Sequence, residues 1–290
     1  MTEETHRTLH ERVGSREFPP KIPPAGRVFI VGAGPGDPEL LTLKGRRLLS
    51  EADLVVWAGS LVNPELLSAC RPDCVRIDSA GTTLEEQVEA LAATVLAGRI
   101  AVRLHTGDPS LYGAVGEQIA ALARRGVGVE IVPGVSSLQG AAARLGIEYT
   151  VPGGSQTLIA TRTAGRTPVP EEESLERLAA AGTTLVVFLS ADRGEEIRRA
   201  CLAAGRSPEE PAAWIYRATW PDEQIRRCTL GTLPESLAEA GIRNHALIVV
   251  GRCLDPGEAR SLLYDGGFAH GFRGTRNGRS PDPEEPEESR

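Results

Sequence analysis

Short apolar runs alternate with amphipathic stretches from residue 27 to about residue 250. Arg27-Val-Phe-Ile-Val31 reads as a strand that runs directly into Gly32-Ala-Gly-Pro-Gly36. Leucines at 40, 41, 43, 48 and 49 fit an amphipathic helix over Glu39–Ala52. The same alternation predicts strands at Leu54–Trp57, Val75–Ile77, Ile100–Leu104 and Val127–Val132. Helices are expected at Leu84–Leu96, opened by Thr82 or Thr83, then at Ala114–Arg125 and Ser136–Leu145. A strand-helix rhythm of this kind builds a parallel sheet covered by helices.

The texture changes at Gly146–Gly154, whose Pro and Gly suit a connection between domains. Beyond it, strands are expected at Thr157–Ala160, Thr184–Phe188, Ala213–Tyr216, Ile225–Leu230 and Ala246–Val250. Helices fall between them at Glu172–Ala181, Glu195–Ala204 and Pro234–Ala240. Trp220-Pro-Asp separates two adjacent strands, which makes a hairpin and therefore a mixed second sheet. The expected organisation is an extended Pro-rich lead-in over 1–26, an α/β domain over 27–146 and a linker over 147–154. A second α/β domain then covers 155–255, followed by a disordered acidic tail over 256–290.

Composition narrows the function. The 290 residues are 41% hydrophobic and 24% charged, which suits a folded chain, and only 4% aromatic, so the core must be aliphatic. Apolar runs such as Ala246–Val250 fall far short of the roughly 20 residues that span a bilayer. The polar start, Met1 to Arg12, has no apolar signal core, and the expected location is the cytoplasm. Net charge is −7, but residues 281–290 hold five acids and one arginine, so most of the excess sits in the tail. No basic stripe points to nucleic acid. Five cysteines lie scattered; Cys70 and Cys74 would make half a metal site, yet no second pair follows, so reduced thiols and no metal are expected.

Three glycine-bearing turns follow strands of the first sheet, at the edge where open α/β sheets collect ligands. Gly32-Ala-Gly-Pro35-Gly-Asp37 has Asp where a dinucleotide fingerprint needs its last glycine. Its glycines serve either a tight turn or close approach of main chain to a ligand. His105-Thr-Gly-Asp108-Pro109 offers a carboxylate, which either bonds its own turn or meets a cationic ligand. Ser136 and Ser137, after Val132-Pro-Gly-Val, serve as a helix cap or as ligand contacts. His105 reads as structural. No nucleophile elbow, phosphate-binding GxxxxGK[ST] loop or HExxH occurs.

These segments resemble a known family. VGAGPGDPELLTLKG (31–45), TGDPSLYG (106–113), PGVSS (133–137) and HALIVVGR (245–252) are similar to the S-adenosylmethionine-dependent tetrapyrrole methylases over about residues 27–255. WAGSLVNPELL (57–67), VRLHTGDPSLYGAVGEQ (102–118), TRTAGRTP (161–168) and YRATWPDEQ (216–224) look like the branch that methylates C11 of precorrin-4 on the way to cobalamin. Trp57 stands where tyrosine is common, and His245 where proline is common.

The resemblance implies two α/β domains with the active site in the cleft between them, and a homodimer. It implies S-adenosylmethionine contacts at Pro35, Thr106, Gly107, Asp108, Leu111, Ser136, Ser137, Leu189, Ala218 and Ala246. The acceptor carries several carboxylates, so Arg103, Arg162, Arg166 and Arg217 are the candidates for binding it. Glu117 and Tyr112, beside the second turn, are the candidates for moving a proton. Rival readings are methylation at another ring carbon (C1, C2, C17 or C20), methylation of RNA ribose or a protein side chain, and a non-enzymatic nucleotide-binding regulator.

Overall fold

The computed structural model describes residues 26–257 together with 261, 263 and 268. The lead-in expected over 1–26 and the tail expected over 256–290 lie almost wholly outside the described residues. The chain divides into two compact units between Ser137 and Leu138, ahead of the Gly146–Gly154 stretch.

The first unit holds a five-stranded sheet of β1 (Arg27–Gly32), β2 (Leu54–Trp57), β3 (Val75–Asp78), β4 (Ala101–His105) and β5 (Gly128–Val132). Its order is β3-β2-β4-β1-β5, and every pairing is parallel. α1 (Leu43–Glu51) packs on one face with Phe29, Val31, Leu48, Leu49, Val55 and Leu104. α2 (Leu84–Leu96) and α3 (Val115–Ala123) cover the other with Val28, Ile30, Val56, Leu91 and Leu122. Burial on both faces explains why β1 and β2 read as continuous apolar runs rather than as alternation. Chain leaving β1 moves toward β2 and chain leaving β4 moves toward β5, in opposite directions. The ends of β1 and β4 therefore form a topological switch point, where such sheets bind ligands.

The helix expected over 39–52 is broken in two. A 3₁₀ turn over Pro38–Leu40 is capped by Asp37, whose carboxylate accepts from Glu39 N at 2.8 Å. Thr42 then starts α1, accepting from Gly45 N at 3.1 Å. Of the two threonines expected to cap α2, Thr83 does so: its hydroxyl accepts from Glu86 N, and Glu86 accepts from Thr83 N at 2.7 Å.

The second unit begins within α4 (Ser137–Leu145) and holds β6 (Leu158–Arg162), β7 (Thr184–Phe188), β8 (Pro211–Tyr216), β9 (Gln224–Thr229) and β10 (Ala246–Val250). The order is β6-β7-β10-β8-β9, with β6 and β7 parallel and the rest antiparallel, so the sheet is mixed as the hairpin predicts. α5 (Leu175–Ala179), α6 (Gly194–Ala203) and α7 (Leu233–Glu239) pack on it around Trp214, Ile248, Leu185 and Ile197. Trp214 satisfies its buried indole N–H by donating to Ser236 Oγ at 2.8 Å. The helix expected over 172–181 shrinks to α5, because Pro170 starts a 3₁₀ turn over Glu171–Glu173 and Ser174 is extended. Among the described residues no helix is long and apolar enough to cross a membrane.

Candidate functional site

In the first unit the three glycine turns are stitched into one surface at the C-terminal ends of β1, β4 and β5. Ala33 N donates to His105 O at 2.6 Å, and Gly34 and Gly107 exchange main-chain hydrogen bonds as an isolated antiparallel bridge. A Cβ on Gly32 would lie 2.6 Å from Gly107 O, and one on Gly134 would lie 2.3 Å from the same oxygen. These two glycines let the turns touch, while Gly34 and Gly107 take left-handed backbone at φ 78° and 59°.

Asp108 ties the second turn to the third. One carboxylate oxygen accepts from Gly134 N at 2.9 Å, the other from Ser110 N at 2.8 Å and from the Ser110 hydroxyl. Partial burial pushes its pKa up, but these hydrogen bonds outweigh that and hold the carboxyl below its usual range. Asp108 is thus an anion at neutral pH whose side chain also sets the turn. His105 is buried and meets Gln118 at 3.4 Å; burial and the nearby Arg103 push its pKa down to about 4, so it stays neutral. That agrees with a structural histidine.

Thr106 in the second turn and Glu117 in the first turn of α3 are exposed, Tyr112 is left-handed at φ 56° and half-exposed, and Leu111 and Ser137 are half-buried. Pro35 and Ser136 are buried. Asn63, which lies in the WAGSLVNPELL segment but has no role assigned from the sequence, donates from its buried side-chain amide to Gly36 O at 2.9 Å and so holds the first turn from outside it.

In the second unit the register brings four loops to one edge of the sheet. Arg162 pairs with Phe188 and Ala246 with Tyr216, so Thr163, Leu189, Arg217–Ala218 and His245 emerge together. The backbone there is strained. Leu189, Arg217, Thr219 and His245 have φ of 52°, 46°, 70° and 55°. With Tyr112 and Ala114 they are all the non-glycine residues of positive φ among the described residues; five lie in segments quoted for the family resemblance, and the sixth, Leu189, is itself an expected donor contact. Such conformations cost about 1–3 kcal/mol each and cluster where function requires them. Leu189 leaves 70% of its surface exposed, whereas Ala218 and Ala246 are buried. Ser190, fully buried, accepts from Thr163 N at 3.0 Å and donates to Phe188 O at 2.6 Å, tying two of the loops.

The four candidate arginines are divided between the two units and differ in what they bind. Arg103 belongs to the first unit and is buried in the sheet, donating to Val56 O and Leu104 O, with its Nε buried and unpaired. Desolvation pushes its pKa down to about 10, leaving it a cation at neutral pH. Arg162 spends its guanidinium on the carbonyls of Thr163, Thr167 and Pro168. Arg217 lies 3.9 Å above the Trp220 ring and pairs with Asp222. Arg166 is exposed. The Cys70 and Cys74 thiols are buried and unbridged, and burial pushes Cys74 up to about 11. Among the described residues no three His, Cys, Asp or Glu side chains could hold a metal.

Residues 27–234 match the model of the tetrapyrrole (corrin/porphyrin) methylases, and the chain belongs to that family. Within it, the chain is 45% identical over 251 residues to a cobalt-precorrin-4 C(11)-methyltransferase of Priestia megaterium, spanning 85% of this chain and 97% of the relative. It is 44% identical over 247 residues to a precorrin-4 C(11)-methyltransferase of Pseudomonas aeruginosa, spanning 85% and 98%. The X-ray structure of a cobalt-precorrin-4 methyltransferase superposes with a TM-score of 0.79 at 44% identity, covering 81% of this chain and all of that one. A uroporphyrin-III C-methyltransferase from Thermus thermophilus, solved with S-adenosylhomocysteine, gives 0.68 at 35% identity, covering 80% and 100%.

Proposed function

We propose that this chain transfers a methyl group from S-adenosylmethionine to C11 of precorrin-4, or of its cobalt form, in the assembly of the corrin ring of cobalamin. The observation that carries the reading is the coincidence of strained backbone with the family's ligand segments. Relatives named for this reaction, aligned over nearly their whole length, supply the substrate.

The residues suit the donor. Asp108 provides a negative charge for a ligand with a cationic sulfur and ammonium group. Leu189, exposed despite its strained backbone, provides an apolar contact, and the small Ala218 and Ala246 let main chain approach. Pro35, Thr106, Gly107, Leu111, Ser136 and Ser137 complete the set. When bound, S-adenosylmethionine supplies a methyl group already activated on a positively charged sulfur. The chain then needs to hold donor and ring carbon about 3–3.5 Å apart and exclude water, which accounts for a site built from turns rather than from a catalytic triad.

Arg166 is the arginine best placed to meet a substrate carboxylate. Arg162 and Arg217 must exchange a partner inside the protein to do so, and Arg103 serves through its buried charge. Tyr112 and Glu117 stand where a proton could be moved, and Glu117→Gln tests that role: unchanged turnover removes it. We place the enzyme in the cytoplasm, which cell fractionation checks, and read it as a homodimer, which light scattering on the purified chain checks.

The deciding experiment incubates the protein with methyl-labelled S-adenosylmethionine and either metal-free or cobalt-loaded precorrin-4. Label at C11 by NMR supports the reading, label at another ring carbon replaces it with a sister activity, and no transfer to either acceptor rejects it.

A further inference from the structure

The turn joining β8 to β9 is held by a side chain from another part of the second unit. Thr219 has φ 70°, unusual for a β-branched residue, and Arg217 has φ 46°. Ala218, a proposed contact for the methyl donor, lies between them. Thr219 N donates to Glu223 Oε2 at 2.7 Å. Both oxygens of that carboxylate are gripped by Arg144 in the last turn of α4, whose Nε lies 2.8 and 2.9 Å from them. The side chain of Glu223 is only 10% exposed while that of Arg144 is 53% exposed, so the arginine reaches in from the surface to a sequestered carboxylate. Burial alone would raise the pKa of Glu223, but Arg144 and the Thr219 amide bring it below the usual range, so the clamp is charged at neutral pH. At the other end of the turn, Arg217 N donates to His245 O at 2.9 Å and the Arg217 guanidinium lies over Trp220.

Left to itself, a turn containing Thr and Arg relaxes to negative φ. The six-residue pairing of β8 with β9 does not depend on that choice. We infer that Glu223, gripped by Arg144, is a positioning residue that keeps Arg217 and Thr219 in the left-handed form and so presents Ala218, between them, to the methyl donor, a role that rests on the function proposed above. It acts through the backbone and touches neither donor nor acceptor.

Glycine visits positive φ without a steric cost, and this separates positioning from general support of the fold. The test uses the full chain, titrated with S-adenosylhomocysteine by calorimetry and assayed with labelled donor and precorrin-4. Glu223→Ala is expected to raise the Kd for S-adenosylhomocysteine, and the KM for the donor, about tenfold, the order set by the strain of one left-handed residue. The kcat should stay within about twofold, because the chemistry is not touched. Adding Thr219→Gly should return the Kd to within about threefold of that of Thr219→Gly alone. Arg144→Met, a change at an exposed residue, gives a smaller loss of about threefold that the same glycine repairs. Wild-type affinity in Glu223→Ala overturns the inference, as does a loss that Thr219→Gly fails to repair. A wild-type protein that neither binds S-adenosylhomocysteine nor transfers methyl overturns the functional reading itself, and this inference with it.

Discussion

Replacing Gly134 by alanine disturbs the candidate site without changing a charge. The added Cβ would lie 2.3 Å from Gly107 O, 2.8 Å from Gly32 Cα and 2.9 Å from Gly32 C. Ordinary contacts between carbon atoms lie at about 3.5–4.0 Å. All three neighbours are backbone, so no flexible side chain can yield. The turns after β1, β4 and β5 must instead part by about 1 Å, against the hydrogen bonds that join Gly34 to Gly107 and Asp108 to Gly134. Overpacking a closed interior costs about 1–3 kcal/mol, occasionally more, and two displaced backbones place this case near 3 kcal/mol. For a chain of this size that lowers the melting temperature by about 6–12 °C. Gly98→Ala is the control: Gly98 has φ 75° and no atom within 4 Å of a built Cβ, so its cost is strain alone, about 1 kcal/mol. Thermal unfolding by circular dichroism and calorimetric titration with S-adenosylhomocysteine read both variants. Gly134→Ala should melt early and lose affinity at least about tenfold, a loss of about 1.4 kcal/mol, while Gly98→Ala keeps wild-type affinity. Wild-type melting and affinity in Gly134→Ala would refute the convergence of the three turns.

Three further outcomes are expected. The folded-state pKa of His105, about 4, lies below its ordinary 6.5, so the unfolded chain takes up the proton first as pH falls. Its contribution to stability is complete above about 6.5 and is lost as pH falls toward the folded value, and an NMR titration of the imidazole with a midpoint above 6 contradicts this. Arg162→Ala removes three hydrogen bonds to the carbonyls of Thr163, Thr167 and Pro168, so trypsin should cut after the exposed Arg166 severalfold faster, and an unchanged rate counts against the loop being held this way. Cys74, buried and pushed up to about 11, should resist iodoacetamide at pH 8 in the native protein and react once it is unfolded, as mass spectrometry of the labelled peptide will show.

The parts of the fold legible in the chain are those with a strong local cause. β7 and β10 were expected with the bounds they have, because Thr184–Phe188 and Ala246–Val250 are buried at every position and read as unbroken apolar runs. Leucine spacing predicts one helix over 39–52 and carries no notice that Thr42 turns its hydroxyl onto Gly45 N and restarts the helix. The short 3₁₀ pieces at Pro64–Ala69, Ala191–Arg193 and Arg252–Leu254 are too brief to show a period in the sequence. Counting arginines gave four candidates of equal standing. What each guanidinium is spent on depends on chain folded around it: a ring and an acid for Arg217, loop carbonyls for Arg162, the interior of a sheet for Arg103.

The same division runs through the site. In the first unit the strained backbone falls largely on glycine, which announces itself in a sequence because it has few other reasons to recur at the ends of strands. In the second unit it falls on leucine, arginine, threonine and histidine, which look ordinary there. Ordinary residues hold left-handed conformations only when their surroundings over-determine them. Those surroundings come from far along the chain: Arg144 lies 79 positions from the Glu223 it grips. A turn made of glycine carries its own permission to bend, whereas one made of threonine borrows it from partners that only the fold assembles. The second kind is the more sensitive to change, since its geometry fails when any one of those partners is lost.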